Sequence, residues 1–202
     1  MADHWFKPQD HYFKKAKWEN FVARSIYKLE EIDLKYKLLD KSVKKVLDIW
    51  CSPGSRLQYT SKKLWANLDF LTIWLDIQPV KVNLRWVVTA VVDATDREAC
   101  KKLFEEYNVE KFDCILSDLA PNTIGFKGID AMRCIAVLED TLWLYETYLK
   151  EGGKFAMKIF MGPWFDEFVS DCKKTRWATN IKLIKPKACR DLSKEIYIVK
   201  WR

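Results

Sequence analysis

The 202-residue sequence predicts one α/β domain, a Rossmann-like and mostly parallel seven-stranded sheet that ends in a C-terminal antiparallel hairpin. Three observations carry this expectation. Short β-branched runs alternate with segments of helical apolar spacing, the pattern of a parallel sheet covered on both faces. The last two strand-like runs have no helix between them, so they are expected to pair antiparallel. The chain is 49% apolar, enough for one well-buried core, and its length suits one domain better than two.

Residues 1–40 read as a basic helical extension packed on a core domain of residues 41–202. Within the extension, 24–39 is predicted helical, with Ile26, Leu29, Ile32 and Tyr36 on one side. Strands are predicted at 45–49, 70–75, 87–92, 112–117, 154–159, 181–185 and 196–200. Helices are predicted at 55–65, 97–107, 129–149 and 163–174. The first strand, Val46-Leu47-Asp48-Ile49, runs into Trp50-Cys51-Ser52-Pro53-Gly54-Ser55, a strand followed by a tight turn and a helix start. In open α/β sheets ligands bind beyond the carboxyl ends of the strands, where that first turn lets the backbone approach them.

Lys and Arg number 35 against 28 Asp and Glu, a formal charge of +7 that favours polyanionic partners through phosphate contacts. The six cysteines include no CxxC pair, which points to reduced thiols of an intracellular protein and away from a disulfide frame or a metal site. No apolar run reaches the roughly 18 residues of a membrane span, and the N-terminus lacks a signal-peptide core. A cytoplasmic monomer without a membrane partner is expected.

Acidic residues stand at successive strand ends. Asp48 lies in the first strand, Asp76 ends the second, Asp93 ends the third and Asp118 follows the fourth. Asp76 is placed to accept both ribose hydroxyls of a nucleoside cofactor, and Asp93 to accept from an adenine amino group. A carboxylate-lined cleft suits a cofactor carrying a sulfonium and an ammonium better than a pyrophosphate cofactor. Aspartate is also a common turn residue after strands, which is the alternative for any one of them. A second oddity is Lys158 inside the apolar run Phe155-Ala156-Met157-Lys158-Ile159-Phe160, where an unpaired ammonium is expensive to bury. The bland alternative is a lysine snorkelling from a strand end, with Glu195 paired to Lys194 on a solvent face.

Asp48-Ile49-x-x-x-Pro53-Gly54 resembles the DLGxxPGG signature of FtsJ-like ribose 2'-O-methyltransferases. The resemblance spans about residues 12–200. Ser117-Asp118-Leu119-Ala120-Pro121-Asn122 is similar to the family's SDxAPN segment, and 151–160 to its PGGxFxxKxF strand. Ser193-Lys194-Glu195-Ile196-Tyr197-Ile198-Val199 is similar to SxExYxV, and Arg24-Ser25-Ile26-Tyr27-Lys28-Leu29 to the N-terminal RSxxxKL helix. The resemblance implies a class I methyltransferase fold and S-adenosyl-L-methionine as methyl donor, held by Asp48, Pro53, Gly54, Ser55, Arg56, Asp76, Asp93 and Asp118. It implies a catalytic Lys-Asp-Lys-Glu tetrad at Lys28, Asp118, Lys158 and Glu195. Lys158 would serve as base or hydroxyl-orienting group, Asp118 as its partner, and Lys28 and Glu195 as supports. The implied substrate is a ribose, of uridine, in large-subunit ribosomal RNA or the large ribosomal subunit. Transfer RNA is the nearest alternative, and a catalytically silent RNA-binding or ribosome-assembly factor is a second; a nucleotide-dependent oxidoreductase is remote, since GxGxxG is missing.

Basic residues cluster at Lys7, Lys14, Lys15, Lys17 and Arg24 and again at Lys182, Lys185, Lys187, Arg190 and Lys194. Trp5, Phe6, Tyr12 and Phe13 lie among the first group, and such aromatics stack on unpaired bases.

The sequence departs from the family at its cofactor turn. Trp50 replaces the first glycine, and Ser55 and Arg56 replace a Gly and a Trp. An indole where the backbone must approach the ligand is expected to fill the methionine pocket. Trp74 and Trp164 likewise stand where the family has a small residue and a glycine. The chain holds 10 Trp and only 6 Gly, although average usage of about 7% implies roughly 14 Gly. The expectation is a gene whose UGA codons mean glycine and are written here as tryptophan; the competing account is a genuinely diverged chain.

Overall fold

The computed structural model describes residues 10–50, 53–66, 69–80, 84, 86–190 and 192–202. The predicted aromatic and basic positions Trp5, Phe6 and Lys7 lie outside the described residues.

The elements run α1 (His11–Trp18), α2 (Ile26–Tyr36), β1 (Lys45–Ile49), α3 (Ser55–Leu64), β2 (Leu71–Asp76), β3 (Val87–Val91), α4 (Arg97–Glu106), β4 (Phe112–Ser117), α5 (Lys127–Tyr148), β5 (Leu149–Phe160), α6 (Phe165–Lys174), β6 (Lys182–Ile184) and β7 (Glu195–Lys200). The seven strands form one sheet in the order β3-β2-β1-β4-β5-β7-β6. β1 to β5 pair in parallel, and β7 joins β5 and β6 antiparallel. The predicted fold class, with its antiparallel end, is therefore the observed one.

The strand order reverses between β1 and β4, which opens a crevice at their carboxyl ends. The backbone locks this point: Asp118 N–H donates to the Ile49 carbonyl at 3.1 Å, and Trp50 N–H to the Leu75 carbonyl at 2.8 Å. Residues just beyond β1 and β4 are thus neighbours although they are far apart in sequence.

Alternation along the strands divides the core. Leu47, Ile49, Ile115, Phe155, Met157 and Ile159 face one apolar cluster with α4, α5 and α6. Val46, Cys114, Leu116, Ala156, Tyr197 and Val199 face the other, covered by Ile26, Leu29 and Ile32 of α2. The N-terminal region is thereby fixed to the sheet through buried apolar side chains, and α2 lies over the face that carries Lys158 and Tyr197.

The sequence left α1 unassigned within the basic N-terminal stretch. Its signal was the cap: Asp10 accepts from Phe13 N–H at 2.9 Å, and Lys15 and Lys17 sit in the last turn, where cations suit the helix dipole. β5 begins five residues before its predicted start. Gly152 and Gly153 hide the extra length, and the register shift opposite Phe112 and Cys114 marks the irregularity they permit.

Candidate active site

Strand pairing brings together residues that the sequence separates. Lys158 on β5 is the register partner of Tyr197 on β7, and antiparallel partners project on the same face. Glu195, two residues before Tyr197, shares that face. Asp118 follows β4, beside β5, and Lys28 comes down from the first turn of α2. All four members of the predicted tetrad therefore meet at the carboxyl ends of β4 and β5, where β7 begins.

Lys158 is buried at 8% exposure. Its Nζ lies 3.1 Å from Asp118 Oδ1 and donates to the Asp118 carbonyl at 2.5 Å. Lys28 Nζ donates to both oxygens of Glu195, at 2.6 and 2.7 Å. The alternative of a snorkelling lysine with Glu195 bound to Lys194 does not hold, because both groups are buried against these partners.

Tyr197 joins the two pairs. Its hydroxyl lies 2.9 Å from Asp118 Oδ1 and 2.9 Å from Glu195 Oε1. A phenol has one hydrogen, so it is shared or alternates between the two carboxylates. Burial, together with the charges of Asp118 and Glu195, pushes the Tyr197 pKa well above its usual value, so this bridge stays protonated. In the sequence Tyr197 stands out only as part of the SxExYxV-like segment, and its signal is the i, i+2 spacing from Glu195 in a strand.

Arg56 completes the cluster. It is 4% exposed, and its guanidinium lies 2.8 Å from Asp48 Oδ1 and 4.0 Å from Asp118 Oδ1. Three cationic and three carboxylate side chains thus share one desolvated site. Burial alone would raise the Asp118 pKa, but Lys158, Lys28 and Arg56, with the Tyr197 hydrogen bond, outweigh it and hold the carboxyl well below the usual range. Burial would lower the Lys28 pKa, and the charges of Asp118 and Glu195 overcome it and raise it.

These shifts fix a pH dependence. A depressed carboxyl pKa contributes stability that is present above the ordinary carboxylate value, about 4, and lost as pH falls through the folded-state value. Asp113 adds to it, held low by the N–H groups of Lys44 and Lys45 and by Lys150 against its own burial. Urea unfolding should therefore give constant stability from neutrality down to about pH 5 and a progressive fall below about pH 4. An Asp118→Asn variant should show a shallower acid slope.

Beyond the ends of β1, β2 and β3 lies a cavity of about 180 Å3 whose lining includes Asp76, Asp93 and Trp50, with Leu119 linking it to Asp118. Asp76 is the last residue of β2, whereas Asp93 sits two residues past β3. Asp76 Oδ1 accepts from Gln78 N–H and Asp93 Oδ1 from Thr95 N–H, each at 2.9 Å, so each carboxylate also braces its own turn. Gly54, with φ +107°, supplies the left-handed residue that starts α3, next to the exposed Pro53. Of the other predicted cofactor residues, Asp48 and Arg56 face each other away from the cavity lining, and the Ser55 hydroxyl lies 2.8 Å from that of Ser25. The two acids suit the nucleoside half of S-adenosyl-L-methionine. Trp50 does not suit its methionyl half, since an indole stands where the first turn should leave only backbone.

The two basic clusters meet in space. Arg24 pairs with Asp10 and donates to the Ala188 carbonyl, and Ala188 N–H donates to Glu31 at 3.4 Å. Tyr12 packs on Tyr27 with ring centroids 5.5 Å apart, while Phe13 is 40% exposed. Among the described residues no group of three or more metal-ligating side chains occurs, and no helix is long and apolar enough to cross a membrane.

Comparison with known proteins agrees with this fold. A family profile described as FtsJ-like methyltransferase matches residues 21–202. A protein of Desulfatibacillum aliphaticivorans named ribosomal RNA large subunit methyltransferase E is 39% identical over 197 residues, covering 96% of this chain and 90% of its own length. A protein of the same name from Bdellovibrio bacteriovorus is 39% identical over 195 residues, covering 96% of each. The crystal structure of a Plasmodium falciparum protein named as a ribosomal RNA methyltransferase superposes with a TM-score of 0.72 at 25% identity, over 89% of this chain and 96% of that one. The chain belongs to the FtsJ-like methyltransferase family.

Proposed function

We propose that the protein transfers a methyl group from S-adenosyl-L-methionine to the 2'-hydroxyl of a ribose, of uridine, in large-subunit ribosomal RNA. The observation that carries this reading is the Lys158 amine, buried in an apolar strand and held 3.1 Å from the Asp118 carboxylate. Bound donor supplies an electrophilic methyl carbon. A ribose hydroxyl is a weak nucleophile until its proton leaves as the carbon–oxygen bond forms. Lys158 is the group placed to orient that hydroxyl and receive the proton, with Asp118 fixing the amine in direction and position.

Lys28 and Glu195 hold the outer side of the site. Their bidentate contact fixes the Lys28 ammonium in the cluster, where a cation would orient the ribose and its flanking phosphate. Tyr197 keeps the two carboxylates at a constant separation. The adjoining basic surfaces around Lys14, Lys17, Lys185, Lys187 and Arg190 provide charge for the RNA backbone. Asp76 and Asp93 would take the ribose and adenine of the donor. Buried cysteines in the thiol form at Cys100, Cys114, Cys134, Cys172 and Cys189 suit a reducing, cytoplasmic setting, and a monomer is the form proposed.

The experiment offers large-subunit particles, deproteinised large-subunit RNA and transfer RNA in parallel, with tritiated S-adenosylmethionine and protein purified from the cells that encode it. Label should enter ribosomal RNA. Label in transfer RNA alone would overturn the ribosomal reading in favour of a transfer-RNA enzyme.

A further inference from the structure

We infer that positions 50, 86 and 164 are glycine positions, written as tryptophan because their UGA codons are read as glycine in the cell that makes the protein. Among the described residues seven non-glycine residues have positive φ: Asn20, Lys37, Trp50, Trp86, Asn108, Trp164 and Asn180. Asparagine enters this left-handed region through its short polar side chain, and Lys37 is the C-cap of α2. Tryptophan has no such reason. A bulky aromatic residue at positive φ is an outlier, because its Cβ crowds the following carbonyl.

Two of the three side chains stand largely in solvent. Trp86 and Trp164 are 49% and 52% exposed, so half of each indole remains in water. Their backbones do the structural work: the Trp86 carbonyl accepts from Thr72 N–H at 3.1 Å, and the Trp164 carbonyl accepts the first-turn N–H of Phe168 at 2.9 Å. Trp50, at φ +55°, leaves β1 and lines the cavity shared by Asp76 and Asp93. A glycine performs all three backbone roles without crowding.

Other tryptophans behave differently. Trp143 and Trp177 are buried, have no positive φ, and pack on aromatic neighbours, Trp143 edge-on to Tyr148 at 5.9 Å and Trp177 tilted on Tyr145 at 5.1 Å. Trp74 lies in extended strand, fully buried beside Leu57, so the backbone criterion does not reach it. Reading the three positions as glycine moves the composition from 10 Trp and 6 Gly to 7 Trp and 9 Gly, towards average usage, and spares Trp143 and Trp177, whose indoles are packed in the core. UGA is one base from the glycine codon GGA and one from the tryptophan codon UGG.

The opening of the donor cleft at residue 50 rests on the proposed methyltransferase site, whereas the assignment of the three residues rests on the backbone alone. The test therefore uses no activity. Peptide mass spectrometry of the protein from its own cells should read glycine at 50, 86 and 164 and tryptophan at 143 and 177; tryptophan at any of the first three would overturn the inference. In the tryptophan-bearing chain, Trp86→Gly and Trp164→Gly should each raise Tm by about 2–4 °C as crowding is relieved. An unchanged or lowered Tm in both variants would remove the backbone argument.

Discussion

Replacing Lys158 with methionine should lower the single-turnover rate of methyl transfer by about 10²–10⁴-fold, the range of a positioned acid–base group. The fold should survive, because the methionine stem occupies the same apolar strand and Asp118 keeps its contact with Tyr197 and the nearby charges of Arg56 and Lys28. Donor affinity should change little, since Lys158 is not among the residues lining the cavity with Asp76 and Asp93. Lys158→Arg divides the two roles of the amine. Arginine keeps the positive charge but cannot give up its proton. A rate as low as that of the methionine variant assigns proton removal to Lys158; a rate near that of the unaltered chain assigns it a purely orienting and electrostatic role.

Trp50→Gly in the tryptophan-bearing chain should raise the affinity for S-adenosylmethionine by about a hundredfold. The magnitude follows from steric overlap: forcing a ligand against an indole in a packed site costs about 3 kcal/mol, and each 1.4 kcal/mol is tenfold in affinity. Trp50 packs against the large core cluster and lines the cavity, so its removal enlarges the space next to Asp76 without touching the Lys158–Asp118 pair. Calorimetric titration reads the change directly. Equal affinity of the two chains would mean that the donor avoids the first turn altogether. The pair Trp86→Gly and Trp164→Gly serves as control, because neither residue lines the cavity.

Much of this molecule was legible because its constraints are local. The β1 run ending in Asp48 and Ile49, the helix start at Gly54 and Ser55, and the buried Lys158 each carry a signal within a few residues. The antiparallel end was legible because no helix separates β6 from β7. Contacts across the sheet were not. That Tyr197 bridges two carboxylates follows from its register opposite Lys158, which no sequence window contains. The contact of Arg56 with the buried Asp48, where an unpaired carboxylate would be costly, joins the helix start to the strand before it and is visible only in the fold. Asp93, expected to end the third strand, lies two residues past Val91, the ordinary play at an element's end, since Val92 N–H still donates to the Asp76 carbonyl at 3.0 Å. The excess of tryptophan was visible in composition, but only backbone angles separate positions that need glycine from those that need an indole.

The most direct test of the account is the chemical identity of the methylated product. Protein from its own cells is incubated with S-adenosylmethionine and large-subunit particles, and the RNA is digested to nucleosides and analysed by mass spectrometry. The cluster of Lys158, Asp118, Lys28 and Glu195 predicts one additional 2'-O-methylated nucleoside, absent with the Lys158→Met variant. A methyl group on a base, or the same ribose product from the Lys158→Met variant at an undiminished rate, would contradict it.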